Sequence, residues 1–127
     1  MDKFFIEGSK QTPEISFNAE LGELEIKGRS IPENTFDFFN PVLLWLEEYA
    51  KSPAKKTIVK VNLEYFNTSS SKYILEILKR VKNVMNDGHD VLVEWYYEED
   101  DEEMMETGED YEDVSGLPFS LISVEED

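Results

Sequence analysis

The sequence predicts an α/β fold: a mixed sheet in the order βββ-α-β-α-β-(acidic loop or short helix)-β, with helices packed on it. Three observations carry this expectation. Apolar and polar residues alternate over the first 28 residues, the mark of half-buried antiparallel strands joined by hairpins. Two later stretches change to helical spacing. β-rich runs lie between and after them, and strand, helix and strand within about 35 residues make a right-handed crossover unit with parallel strands.

In order, Phe4-Phe5-Ile6 is a brief apolar run, and residues 8–13 are a turn cluster. Ile15 and Phe17 alternate with polar neighbours, as do Leu24 and Ile26 after a turn over residues 18–22. The segment Gly28 to Asn34 breaks the alternation. Pro32 biases Ile31 towards an extended backbone, and Asn34 or Ser30 is placed to cap the first helix. Phe36, Phe39, Leu43, Leu46 and Tyr49-Ala50 then form a helical stripe. Pro41 divides the readings. Either one helix starts near Thr35 and carries Pro41 within it, or a short turn ends at Asn40 and Pro41 opens the main helix. The second reading is preferred. Trp45 falls off the apolar line and reads as a partly exposed cover for the core edge.

Ser52-Pro53-Ala54 ends that helix, and Thr57 to Tyr65 is a β-rich strand with Val59, Val61, Leu63 and Tyr65 in alternation. After Asn67 to Ser71 come Tyr73, Ile74, Ile77, Leu78, Val81, Val84 and Met85 at helical spacing, ending at Asn86-Asp87-Gly88. A strand from His89 to Tyr97 comes next, and then the acidic segment 98–113. Phe119 to Val124 is a last strand-like stretch. With no repeat and no linker, residues 1–127 read as a single domain.

The formal charge of -17 disfavours nucleic acid and anionic membranes as partners. There is no apolar run of membrane-spanning length and no signal-peptide pattern, and the chain has no cysteine. A cytoplasmic protein is therefore expected. Glu98 to Glu103 is an unbroken acidic run. It reads as a solvated, extended loop rather than a Mg2+ or Ca2+ site, because it lacks the spacing and central glycine of a calcium loop. Met104-Met105 and Tyr111 interrupt it with apolar groups, so docking on a basic partner is a second reading of this segment.

Catalytic constellations are thin. His89 is the single histidine, and at a helix-to-strand turn it reads as a turn residue rather than a general base. No nucleophile elbow, phosphate loop or dinucleotide fingerprint is present. A non-enzymatic protein without cofactor or metal is the expectation. The informative junction is Asn67-Thr68-Ser69-Ser70-Ser71-Lys72, where a strand meets a helix. One small polar residue suffices to cap a helix, so the surplus of hydroxyls fits either an ordinary cap and turn or a modification or anion site. A phosphate there would face the positive end of the helix dipole, with Lys72 one turn later.

Together, the segments Leu24 to Asn34, Phe38-Phe39 with Trp45-Leu46, Leu63 to Lys72 and Trp95 to Glu98 resemble the SiaC family of bacterial regulatory phosphoproteins. The resemblance spans roughly residues 4–124. It implies a STAS-like fold, similar to anti-sigma-factor antagonists, and a phosphorylated threonine that falls on Thr68, with Ser69 to Ser71 as cap and turn. It also implies a cognate protein kinase and a PP2C-type phosphatase that set its state. The unphosphorylated form would bind and activate a diguanylate cyclase, promoting cyclic di-GMP signalling and biofilm formation. Arg29, Ser30, Pro32, Glu33 and Asn34 form a second candidate motif. Arg29, Glu33 and Asn34, joined to the Asn67–Ser71 turn, would alternatively line the polar pocket of a small-molecule-binding module or small enzyme.

Overall fold

The computed structural model describes residue 1 and residues 3–125. Its elements run in the predicted order: β1 (Phe4–Ile6), β2 (Glu14–Asn18), β3 (Glu23–Ser30), α1 (Thr35–Tyr49), β4 (Lys56–Phe66), α2 (Thr68–Asn86), β5 (Asp90–Glu98), α3 (Glu102–Ser115) and β6 (Phe119–Val124). The six strands lie side by side in chain order. Pairing is antiparallel from β1 to β3 and parallel from β3 to β6.

Strands laid down in one direction by right-handed crossovers put every intervening helix on the same face. Burial agrees. Val59, Val61 and Leu63 of β4 are buried beneath the helices, whereas Lys60 and Asn62 point to the other face and are not. Trp95, Phe17, Phe39 and Tyr49 are the largest side chains of the buried core. Trp45 is half-buried and stacks on Tyr49 at 5.3 Å and on Phe4 at 6.3 Å, closing the core edge as its spacing suggested.

One expectation is corrected and one alternative is decided. Pro41 does not open a helix; α1 is a single helix with Pro41 inside it. Its start is fixed upstream, where the Asn34 side chain accepts from the N–H of Asp37 at 3.0 Å. An internal proline costs about 3 kcal/mol. Here the buried stripe of Phe39, Val42, Leu43 and Leu46 spans the proline, and only one continuous helix lays all four on the core.

Of the loop and the short helix expected for the acidic segment, the helix is found. From Glu102 to Ser115 it is helix α3, 14 residues long. The Asp101 carboxylate accepts from the N–H of Met104 at 3.0 Å, and Glu102 and Glu103 occupy the first turn, where the helix dipole favours negative charge. The inward stripe is Met104, Gly108, Tyr111 and Ser115. The Trp95 indole N–H donates to the Met104 carbonyl at 3.0 Å. A Cβ on Gly108 would come within 2.6 Å of the Trp95 ring, so only glycine lets this turn lie so close to β5. Packing on a tryptophan overcomes the like-charge repulsion that favours an extended chain.

Among the described residues, no helix is long and apolar enough to cross a membrane. Nor does any group of three or more His, Asp or Glu side chains gather as a metal site would require.

Candidate functional site

Strands β3 and β4 run parallel, and a register shift after Gly28 brings Ser30 opposite Phe66. Gly28 adopts φ 115°, a value open to glycine and strained for other residues. Beyond these paired ends the chain enters α1 and α2, so the two helix starts lie next to each other. That placement answers a question the sequence leaves open: the Arg29–Asn34 segment and the Asn67–Ser71 turn do meet.

They meet through buried hydrogen bonds. Ser30 and Ser70 are fully buried. The Ser30 hydroxyl donates to Ser70 Oγ at 2.8 Å, and the Ser70 hydroxyl donates to the Ser30 carbonyl at 3.0 Å. The Asn67 N–H donates to the same carbonyl at 3.1 Å. Every polar atom in this contact has its partner, as burial requires, and the contact is filled rather than open. Pro32 is buried beside it in sequence, while Arg29, Glu33 and Asn34 are exposed. The polar pocket envisaged for those residues is replaced at its centre by a closed pair of hydroxyls.

The roles within the turn differ from the expected ones. The cap is Asn67, whose Oδ1 accepts from the N–H of Ser70 at 2.9 Å. Ser69 to Ser71 lie inside the first turn of α2 rather than forming the cap. Ser69 Oγ also donates to Asn67 Oδ1 at 3.2 Å and lies 2.9 Å from Thr35 Oγ1. Ser71 Oγ donates to the Thr68 carbonyl at 2.6 Å. Thr68 is the first residue of the helix and is exposed, and its hydroxyl has no hydrogen-bond partner among the described residues. Lys72, one turn on, is also exposed. Asn67 and the three serines use their side chains to hold the turn, and Thr68 is left facing solvent.

Thr35 and Tyr111 belong to this site although neither stands out as a site residue in the sequence. The Tyr111 hydroxyl donates to the Ser71 carbonyl at 2.8 Å, tying α3 to the first turn of α2. Its ring lies against Trp95 at 5.4 Å and Phe66 at 6.4 Å. Burial pushes its pKa up to about 12. The signal for Tyr111 is its place in the Met104–Gly108–Tyr111 stripe. For Thr35 it is the repetition of Asn-Thr at both helix starts, Asn34-Thr35 and Asn67-Thr68.

Fold and junction thus define a one-sided α/β protein whose two central helix starts are fused by hydroxyl bonds and display one outward threonine. The sequence matches the SiaC family regulatory phosphoproteins over residues 6–124, and the chain belongs to that family. Membership makes it a regulator and not an enzyme. The structure is similar to that of SiaC of Pseudomonas aeruginosa, with a TM-score of 0.88 at 27% identity over 98% of this chain and 100% of that one. It is also similar to a chain in the crystal structure of the diguanylate cyclase SiaD in complex with its activator SiaC, from the same species. That match has a TM-score of 0.89 at 28% identity and covers 95% of this chain and 99% of that one. An uncharacterized protein of Pseudomonas aeruginosa strain UCBPP-PA14 is 29% identical over 121 residues, 95% of this chain and 96% of that protein.

Proposed function

We propose that this chain is a phosphorylation-controlled partner switch of the cytoplasm, acting as a single domain over residues 1–127. Unphosphorylated, it binds and activates a diguanylate cyclase and so feeds cyclic di-GMP signalling. A cognate kinase modifies Thr68 and releases the partner, and a PP2C-type phosphatase restores the binding form. The activator role of the similar SiaC chain towards SiaD supports the choice of partner.

The observation that carries the reading is the division of labour at the junction. Of the residues from Asn67 to Ser71, Thr68 alone combines exposure with an unengaged hydroxyl, so a kinase reaches it without breaking a native bond. The N–H groups of Thr68 and Ser69 lie in the first turn, outside intrahelical pairing, and the helix dipole points its positive end there. A phosphate adds close to two negative charges with little backbone change. The fold stays and the surface changes sign. A partner contact that is apolar or acidic at this point is then lost through phosphate desolvation and repulsion.

Calorimetric titration of the cognate cyclase against three forms tests the proposal. Unmodified protein and Thr68→Ala bind alike, whereas protein phosphorylated at Thr68 binds at least about a hundredfold more weakly, since opposed like charges cost several kcal/mol. Equal affinity of all three forms sinks the idea.

A further inference from the structure

Two recesses open side by side where β4 ends beneath the first turns of α3. One, of about 170 Å3, runs between Tyr65-Phe66 and Glu103. The other, of about 380 Å3, is walled by Leu63, Tyr97 and Glu98. Both are lined by Glu64, Asp101 and Met104, so they form one groove. Its lining mixes the apolar groups of Leu63, Phe66, Tyr97, Met104 and Val124 with polar Asn62 and Thr107, and Tyr65 beside them has 51% of its surface exposed. Its rim carries Glu64, Glu98, Asp101 and Glu103, and no Lys or Arg lines either recess.

We infer that this groove seats a basic segment of the protein partner, one that carries Lys or Arg on both sides of a large apolar side chain. The inference rests on the reading of the chain as a partner-binding regulator. Charge complementarity selects the occupant. Carboxylates around exposed apolar groups repel acidic or nucleic-acid ligands and reward a segment that places an apolar anchor against Tyr65, Phe66 and Met104 while its cations meet the rim. The lining residue Phe66 lies two positions before Thr68 in the chain, so the groove and the phosphosite sit at the end of one strand and the start of the next helix.

The surface is therefore divided by sign. The groove is negative, while the start of α2, with its open N–H groups and Lys72, is positive. A phosphate on Thr68 reverses the second part and leaves the first unchanged. The groove provides affinity for a basic segment, and the junction provides the control.

The test uses a synthetic peptide, alternating Lys and Leu around a central Phe, titrated into 15N-labelled full-length protein. Shifts are expected at Glu64 to Phe66 and Asp101 to Thr107. Glu64→Lys combined with Glu103→Lys weakens the peptide by about tenfold or more, as reversal of charge at a contact does. The equal charge change Glu20→Lys with Glu47→Lys, at exposed sites elsewhere, weakens it by less than about threefold, because screening removes distant attraction. Tyr65→Ala weakens binding even in high salt. Phosphorylation of Thr68 leaves peptide affinity within about twofold or raises it, while it abolishes binding of the whole cyclase.

Equal losses from the two charge-reversal pairs, or shifts spread over the acidic surface, overturn the groove. So does a groove variant that has lost the peptide yet still binds the cyclase normally. A cyclase that never binds, together with intact peptide mapping, overturns the cyclase assignment and leaves the groove to another basic partner. Thermal melts of each variant separate loss of binding from loss of folding.

Discussion

The β3-to-α1 and β4-to-α2 junctions begin with the same chemistry. In each, a strand ends, an asparagine caps the helix through its side-chain oxygen, and a threonine comes next as the first helical residue. Thr35 is half-buried and hydrogen-bonded to Ser69 across the junction. Thr68 is exposed, and its hydroxyl has no hydrogen-bond partner among the described residues. The difference comes from neighbours rather than from local sequence. Thr35 meets a serine of the adjacent helix, whereas the serines around Thr68 turn inward or sideways. Identical caps thus yield one structural hydroxyl and one available hydroxyl.

The largest contrast is in modification. With the cognate kinase, Thr68→Val abolishes phosphate incorporation, and Thr35→Val retains it in intact-mass measurements. Labelling of Thr68→Val at the wild-type level would show that the two junctions are not distinguished as described.

Next in size is the buried serine pair that fuses the junctions. Ser70→Ala leaves the Ser30 hydroxyl buried without its acceptor, a penalty of about 1–3 kcal/mol. Ser30→Ala is milder, about 1 kcal/mol, because the Ser70 hydroxyl still donates to the Ser30 carbonyl. Urea denaturation checks the order, and a reversed order would mean that the bonds are arranged differently.

The caps come third. Asn34→Ala and Asn67→Ala each lose about 1 kcal/mol, the usual worth of an N-cap. Asn67→Ala costs the more, because its oxygen accepts from both Ser70 and Ser69. Equal losses would show that the Ser69 bond adds nothing.

The last effect is confined to alkaline pH. Burial raises the Tyr111 pKa from 10.0 to about 12. The folded chain therefore holds a proton that the unfolded chain releases above pH 10, and the stabilisation is lost as pH rises towards 12. Unfolding midpoints measured from pH 9 upward should fall less steeply for Tyr111→Phe than for wild type.

The order of strands and helices was legible because periods of two and 3.6 expose which face is buried. Val59, Val61 and Leu63 announce a strand whatever they pack against. Thr68 was legible as part of a hydroxyl cluster and, through resemblance, as one residue within it. Pro41 misled because its local penalty is visible in sequence, while the continuous stripe that offsets it becomes decisive only against the sheet. The acidic helix stood only as an alternative to a loop because carboxylates outnumber its inward residues, and the sequence does not show that Trp95 lies against Gly108. The Ser30–Ser70 bond joins residues 40 positions apart, which no local pattern reveals.

Tyr111 has one more consequence. Its phenol keeps its proton throughout the pH range of living cells, so the latch it forms between α3 and the first turn of α2 stays fastened in acid and in mild alkali. The chain's one histidine, His89, lies past the opposite end of α2. On the proposed phosphorylation of Thr68, acidity would reach the start of α2 chiefly through the phosphate's own second ionisation, near pH 6: a junction insulated from protons that modification would give something to titrate.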